Sequence, residues 1–172
     1  VIKLAVLAVL ALVSYAAADA PAVKKGRKGA GKSDFASWRE VFEGIAASEG
    51  IDPTPDNLVE LAVDSKVEHL GDGELILVSP NFTDYSLRGA SGNGSILLFK
   101  KTAKGYHLVG AMLGNSCEPL GSFSENGKPV KQRFRTTWHV SSRAYTETIY
   151  ETDGATMTQL ESKEIVEKAD AH

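Results

Sequence analysis

The sequence predicts a mainly β chain of the α+β kind: an antiparallel sheet or meander of about seven strands, preceded by one or two short helices. Three observations carry that prediction. Residues 95–102 (Ser-Ile-Leu-Leu-Phe-Lys-Lys-Thr) and 106–113 (Tyr-His-Leu-Val-Gly-Ala-Met-Leu) flank a short Gly-containing turn, as in a hairpin. Ile96 and Leu98 point one way and Leu97 and Phe99 the other, with Leu108 and Met112 set against Val109 and Leu113. Strands apolar on both faces belong inside a fold. Residues 133–141 instead alternate, placing Phe134, Trp138 and Val140 on a buried face and Arg133, Arg135, Thr137 and His139 on a wet one. Asp153-Gly154 between residues 144–152 and 155–161 is a strong short hairpin signal.

The remaining elements follow in order. Residues 1–18 read as a secretory signal peptide, with Lys3 ahead of an apolar run over 4–13 and Ala16-Ala17-Ala18 as the small-residue exit. The run is short for a membrane span, which needs about 20 residues. Residues 19–32 are a basic, flexible Gly/Ala/Lys tether, and residues 33–172 form one β-rich domain. A helix is expected from Ser33 or Asp34, with Phe35, Trp38, Phe42 and Ile45 as its apolar stripe and Gly50 as its stop. A second helix starts at Thr54-Pro55 and carries Leu58, Leu61 and Ala62. Strands are expected over 67–70 and 74–78. Long Gly/Asn-rich loops follow over 79–94 and 114–129, and a frayed tail over 165–172.

Charge is divided unevenly. Of 19 basic and 22 acidic residues, six and one fall in residues 1–32, leaving 13 and 21 behind them and a net charge of −8. An acidic domain is a poor non-specific binder of nucleic acid, so no specific nucleic-acid partner is expected. Membrane contact is expected only if the N-terminal segment is retained. Cys117 is the sole cysteine. It cannot form an intramolecular disulfide and reads as a small buried side chain, with a reactive thiol or an intermolecular bridge as the alternatives.

The sharpest motif is Gly26-Arg27-Lys28-Gly29-Ala30-Gly31-Lys32-Ser33, which fits the phosphate-cradling G-x-x-x-x-G-K-[ST] pattern. No buried strand precedes it, and no later apolar strand ends in an Asp to hold the metal. A basic Gly/Lys tether produces this pattern by chance. The four histidines show no ligand spacing. Ser91 misses the G-x-S-x-G elbow because Asn93 takes the last position. Asn81, Asn93 and Asn115 lie in N-x-[ST] sequons or the rare Cys form, which matters only in a eukaryotic source. No cofactor is expected.

Residues 71–78 (Gly-Asp-Gly-Glu-Leu-Ile-Leu-Val), 94–99 (Gly-Ser-Ile-Leu-Leu-Phe) and 105–110 (Gly-Tyr-His-Leu-Val-Gly) resemble the turn-and-strand pattern of exported bacterial FG-GAP/VCBS-like β domains. That resemblance implies an exported β domain of unassigned function. Family members rich in acids at the first turn can bind Ca²⁺. Here only Asp72 and Glu74 stand there, too few oxygens for a site that needs six to eight.

The functional expectation is a small, exported, non-enzymatic domain that binds a macromolecule or a cell-envelope component. The alternatives are an exported hydrolase with a site assembled in space, or a P-loop nucleotide binder. Loops on a rigid sheet usually carry recognition. The candidate surface is therefore Asn81, Asp84, Tyr85, Arg88 and Asn93 in the first loop, Asn115 in the second, and Arg133, Arg135 and His139 on the wet strand face.

Overall fold

A computed structural model of the chain describes residues 33–71, 73–82, 87–88, 90–124 and 130–166. The expected signal peptide and tether over 1–32 lie outside the described residues, as do Asp72, Asp84, Tyr85 and the last six residues of the tail. The described chain is mainly β. In order it forms β1 (Asp34–Phe35), α1 (Trp38–Glu49), α2 (Pro55–Asp64), β2 (Lys66–Leu70), β3 (Leu75–Ser79) and β4 (Gly94–Thr102). It continues with β5 (Gly105–Gly114), β6 (Ser116–Phe123), β7 (Lys131–Ser141), β8 (Ala144–Thr152) and β9 (Met157–Val166). Two antiparallel sheets result, ordered β1-β5-β4-β3-β2 and β6-β7-β8-β9. From β2 onward each strand pairs with the next, except across Asn115, where β5 leaves the first sheet and β6 enters the second. The meander is thus folded over on itself.

The helices start and stop where local chemistry requires. The Ser37 hydroxyl accepts the Glu40 N–H at 3.3 Å as the N-cap, while the Glu40 carboxylate accepts the N–H of Ala36, one residue before the cap, at 3.2 Å. Helix α1 therefore begins at Trp38, not at Ser33 or Asp34 as the residue spacing suggested. Asp34 and Phe35 instead pair with His107 and Tyr106 of β5, and the Ser33 carbonyl accepts the Leu108 N–H at 2.7 Å. Gly50 ends α1 with φ 72°, a left-handed cap that suits glycine. Thr54 caps α2 through the Asn57 N–H, with Pro55 in its first turn.

Three layers form: helices, five-stranded sheet, four-stranded sheet. Phe42, Ile45, Leu58 and Leu61 of the helices meet Ile76, Val78, Leu97 and Phe99 on one face of the first sheet. Phe35 joins this core from β1, edge-on to Phe99 at 6.0 Å between ring centroids. On the opposite face, Leu77, Ile96, Leu98, Val109 and Met112 meet Phe134 of the second sheet. A fully buried side chain of this size contributes about 1.5–3 kcal/mol, so β3 and β4, loaded on both faces, anchor the domain.

A β-bulge between Leu98 and Phe99 makes one correction to the expected faces. Leu98 pairs with Gly110 and Phe99 with Leu108, which leaves Val109 as the extra residue of β5. Parity therefore changes at that point. Val109 and Met112 share the inter-sheet core, and Leu108 faces the helices.

The second sheet touches the first over only part of its inner face. Phe134 and Thr136 of β7 are buried, Trp138 is half-buried and Val140 is 57% exposed. Alternation holds from Phe134 to Trp138, but Val140, expected on the buried face, is the extra residue of a bulge between His139 and Ser141 and stands in solvent. Close approach is possible because β5 carries glycine where β7 and β9 cross it. A Cβ on Gly110 would stand 2.6 Å from the end of Met157, and one on Gly114 3.0 Å from the Thr136 Cβ and from two backbone oxygens.

Candidate functional site

The first loop and the β5–β6 bend form a clamp rather than a free recognition surface. The Arg88 guanidinium donates to four carbonyls: Gly92 (3.0 Å), Ser95 (3.2 Å), Gly114 (2.8 Å) and Asn115 (3.2 Å). Burial lowers its pKa from the ordinary arginine value. The Asn93 side chain behaves as a short extra strand: its amide N–H donates to the His139 carbonyl at 2.7 Å and its oxygen accepts the His139 N–H at 2.9 Å. A glycan on Asn93 would have to displace that pair. Asn115 donates its backbone N–H to the Thr137 carbonyl at 2.6 Å and its side-chain amide to the Ser91 carbonyl at 3.4 Å. Arg88, Asn93 and Asn115 were expected to face a partner. Their side chains are instead engaged with backbone groups of the chain segments that meet here, Arg88 and Asn93 half-buried and Asn115 exposed.

Asn81 stands apart, its N–H donating to the Ser65 hydroxyl at 3.2 Å beside the end of α2. Residues 114–129 are not one long loop. Ser116–Phe123 is a strand paired with β7, bulged between Pro119 and Gly121.

The clamp holds the end of β7, and the outer face of that strand lies open. Four side chains cross the second sheet in a row of alternating charge. Glu118 of β6 accepts from Arg135 of β7 at 2.5 Å, and the Arg135 guanidinium lies 3.9 Å from Glu147 of β8. Glu147 in turn meets Lys163 of β9 at 3.0 Å. The Glu118 hydrogen bond and charge raise the Arg135 pKa further. A second cluster sits beside it, with Glu151 between Lys131 (2.5 Å) and Arg133 (2.9 Å). Those hydrogen bonds hold the Glu151 carboxyl below the usual carboxylate range. Arg133 also lies 4.6 Å above the Phe123 ring.

Between the row and the clamp is a shallow groove of about 430 Å³ lined by Ser116, Glu118, Arg135, Thr137, His139, Tyr145 and Glu147. The His139 and Tyr145 rings are 6.5 Å apart and tilted by 33°. The Ser116 and Thr137 hydroxyls hydrogen-bond to each other. The groove thus offers carboxylates, a guanidinium, hydroxyls and two adjacent rings on a flat support, a set suited to a polar partner with exposed hydrogen-bonding groups.

This chain matches no known family model, curated protein or solved structure. His139 shares the groove with two carboxylates, the Tyr145 hydroxyl and the Ser116 and Thr137 hydroxyls, which hydrogen-bond to each other and not to the imidazole. His107 binds Asp34 at 2.9 Å, and Ser33 donates to the same Asp34 at 3.4 Å rather than to the imidazole. A serine-type triad needs the hydroxyl on the histidine. Ser33 is also followed by β1, where a P-loop requires a helix. Among the described residues no group of three or more His, Cys, Asp or Glu side chains is placed to hold a metal. No helix among them is long and apolar enough to cross a membrane. Cys117 is half-buried against the inter-sheet core, and burial, with the nearby Glu68 charge adding to it, pushes its thiol up to about 12. It is a protonated packing residue at neutral pH.

Arg133, Arg135 and His139 stand on the open face where alternation placed them. Glu118, Tyr145 and Glu147 were missed as site residues. Tyr145 and Glu147 carry a readable signal, since the alternation of β8 puts them on one face with Ile149 and Glu151. Glu118 carries none, because Pro119 and Gly121 hide its strand.

Proposed function

We propose that this chain is a small exported binding domain, not an enzyme, that contacts a macromolecule or cell-envelope component through the outer face of its four-stranded sheet. The observation that carries the reading is the open polar groove around Arg135 and His139, bounded at one end by the Asn93 side chain paired with the His139 backbone. Recognition sites combine such a fixed support with accessible polar and aromatic groups. The exported setting rests on the N-terminal leader pattern and the resemblance to exported β domains.

Co-sedimentation of the purified protein with insoluble envelope polysaccharide, and separately with lipid vesicles, tests it. Retention by one of these, reduced at least about tenfold (roughly 1.4 kcal/mol) by Arg135→Glu or His139→Ala, is expected. Retention unchanged by both substitutions, or no retention of the unaltered protein, contradicts the reading. An exported hydrolase is the second reading, favoured by the gathering of His139, Glu118, Glu147 and two hydroxyls. Ester or glycoside turnover lost in His139→Ala would favour it.

A further inference from the structure

The alternating row on the second sheet runs Glu118, Arg135, Glu147, Lys163 and ends in a positive charge on β9. β9 is the last strand of that sheet. It is ten residues long, and among the described residues no strand pairs with its outer side. Most of its residues are exposed, including Leu160 at 46% and Val166 at 66%. A free edge of this length presents unpaired backbone donors and acceptors to any strand that fits.

We propose that the occupant is the β9 of a second copy of this chain, paired antiparallel about a two-fold axis at Ser162. The charges choose this register. Pairing centred on Glu161, Lys163 or Glu164 would set each of those residues against its own like charge. Pairing centred on Ser162 sets Glu161 against Lys163 twice, once on each side of the axis. Glu161 shares the outer face with Lys163, since their β8 partners are Ile149 and Glu147. The row of alternating charge then continues across the interface from Lys163 to Glu161 of the second copy. Opposite charges directly across an antiparallel pair are stabilising and like charges destabilising. β9 is bulged at Leu160, since Ile149 pairs with Glu161 and Tyr150 with Gln159, so the regular pairing spans Glu161 to Lys163 and lays Leu160 beside Glu164 at each end. The product is one continuous eight-stranded sheet with two copies of the outer face side by side. This inference does not depend on what the groove binds.

Charges on an edge strand also serve to prevent association, so the test must read both association and register. Analytical ultracentrifugation of the full chain across the micromolar range should show a monomer–dimer equilibrium. Glu161→Lys should shift it to monomer, with a melting midpoint equal to that of the unaltered chain in dilute protein and no longer rising with concentration. Ser162→Cys places two thiols opposite each other, where antiparallel Cα atoms lie about 4.5–5.5 Å apart, within disulfide range. It should give a covalent dimer under oxidised glutathione. Gln159→Cys sets the same thiols about 20 Å apart, six residues along the strand, and should not. A monomer at every concentration overturns the proposal. So does a dimer indifferent to Glu161→Lys, or equal cross-linking of the two cysteine variants.

Discussion

The two sheets share one antiparallel meander but are held in different ways. β4 is buried from Ser95 through Phe99 and packs helices on one side and the second sheet on the other. β9 has only Met157 and Ile165 even half-covered. The contrast is written in composition: Ile-Leu-Leu-Phe at the centre of β4 against Glu-Ser-Lys-Glu in β9. A doubly covered sheet supplies stability. A sheet covered on only part of one face leaves the rest of its area exposed, lined by rows of paired charge.

The largest effects should come from the shared cores. Phe99→Ala and Phe134→Ala, each at no more than 1% exposure, should each cost about 3–5 kcal/mol in denaturant melts. Trp138→Ala, on the same face as Phe134 but outside the core, should cost less, about 1–3 kcal/mol. Equal losses at Trp138 and Phe134 would mean that the second sheet is covered along its whole length. Gly114→Ala attacks the joint between the sheets. The new methyl group would press on two carbonyls and on Thr136, for a cost of about 1–3 kcal/mol. A neutral result would show that the bend at Asn115 is slack.

Smaller effects belong to the open face. Glu151 has its carboxyl pKa lowered in the folded state by Lys131 and Arg133. Its contribution is therefore present above the ordinary glutamate value and is lost as pH falls through the folded one. A melt series on the acid side should show this loss, and Glu151→Gln should flatten it. An unchanged acid limb would remove the cluster from the stability of the sheet. Arg135→Ala should leave the melting midpoint close to that of the unaltered chain, because the pair with Glu118 is exposed. A large drop there would mean that the row of charge holds the sheet together rather than dressing it.

Most of the framework is legible in the sequence because its signals are local. Gly50, Thr54-Pro55 and the apolar runs of β3 and β4 each declare their role within a few residues; Asp153-Gly154 marks the β8–β9 connection, but that connection runs over 153–156, and β9 spans Met157–Val166 rather than 155–161 with a frayed tail from 165. Asp153 accepts the Ala155 and Thr156 N–H groups at 2.9 Å each, as a turn-forming Asp does. What stays hidden depends on distant partners. β1 is two residues long and exists because Phe35 reaches the helix-side core and Gly105 leaves room for it; a Cβ there would fall 2.1 Å from the Phe35 carbonyl oxygen. β6 contains Pro119 and Gly121, which read as a loop but are tolerated on a bulged edge strand. The same limit applies to the site. Alternation exposed Arg133, Arg135 and His139, but nothing near Arg88 or Asn93 in the chain announces that their partners are backbone groups of β5 and β7.

Hydrogen–deuterium exchange at low protein concentration tests the contrast between the sheets most directly. Amides of β3 and β4 should exchange slowest, near the limit set by global unfolding, while those on the solvent side of β9 should exchange fastest among the strands. Slow exchange along β9 matching that of β4, in dilute protein, would contradict it: the second sheet would then be as firmly held as the first.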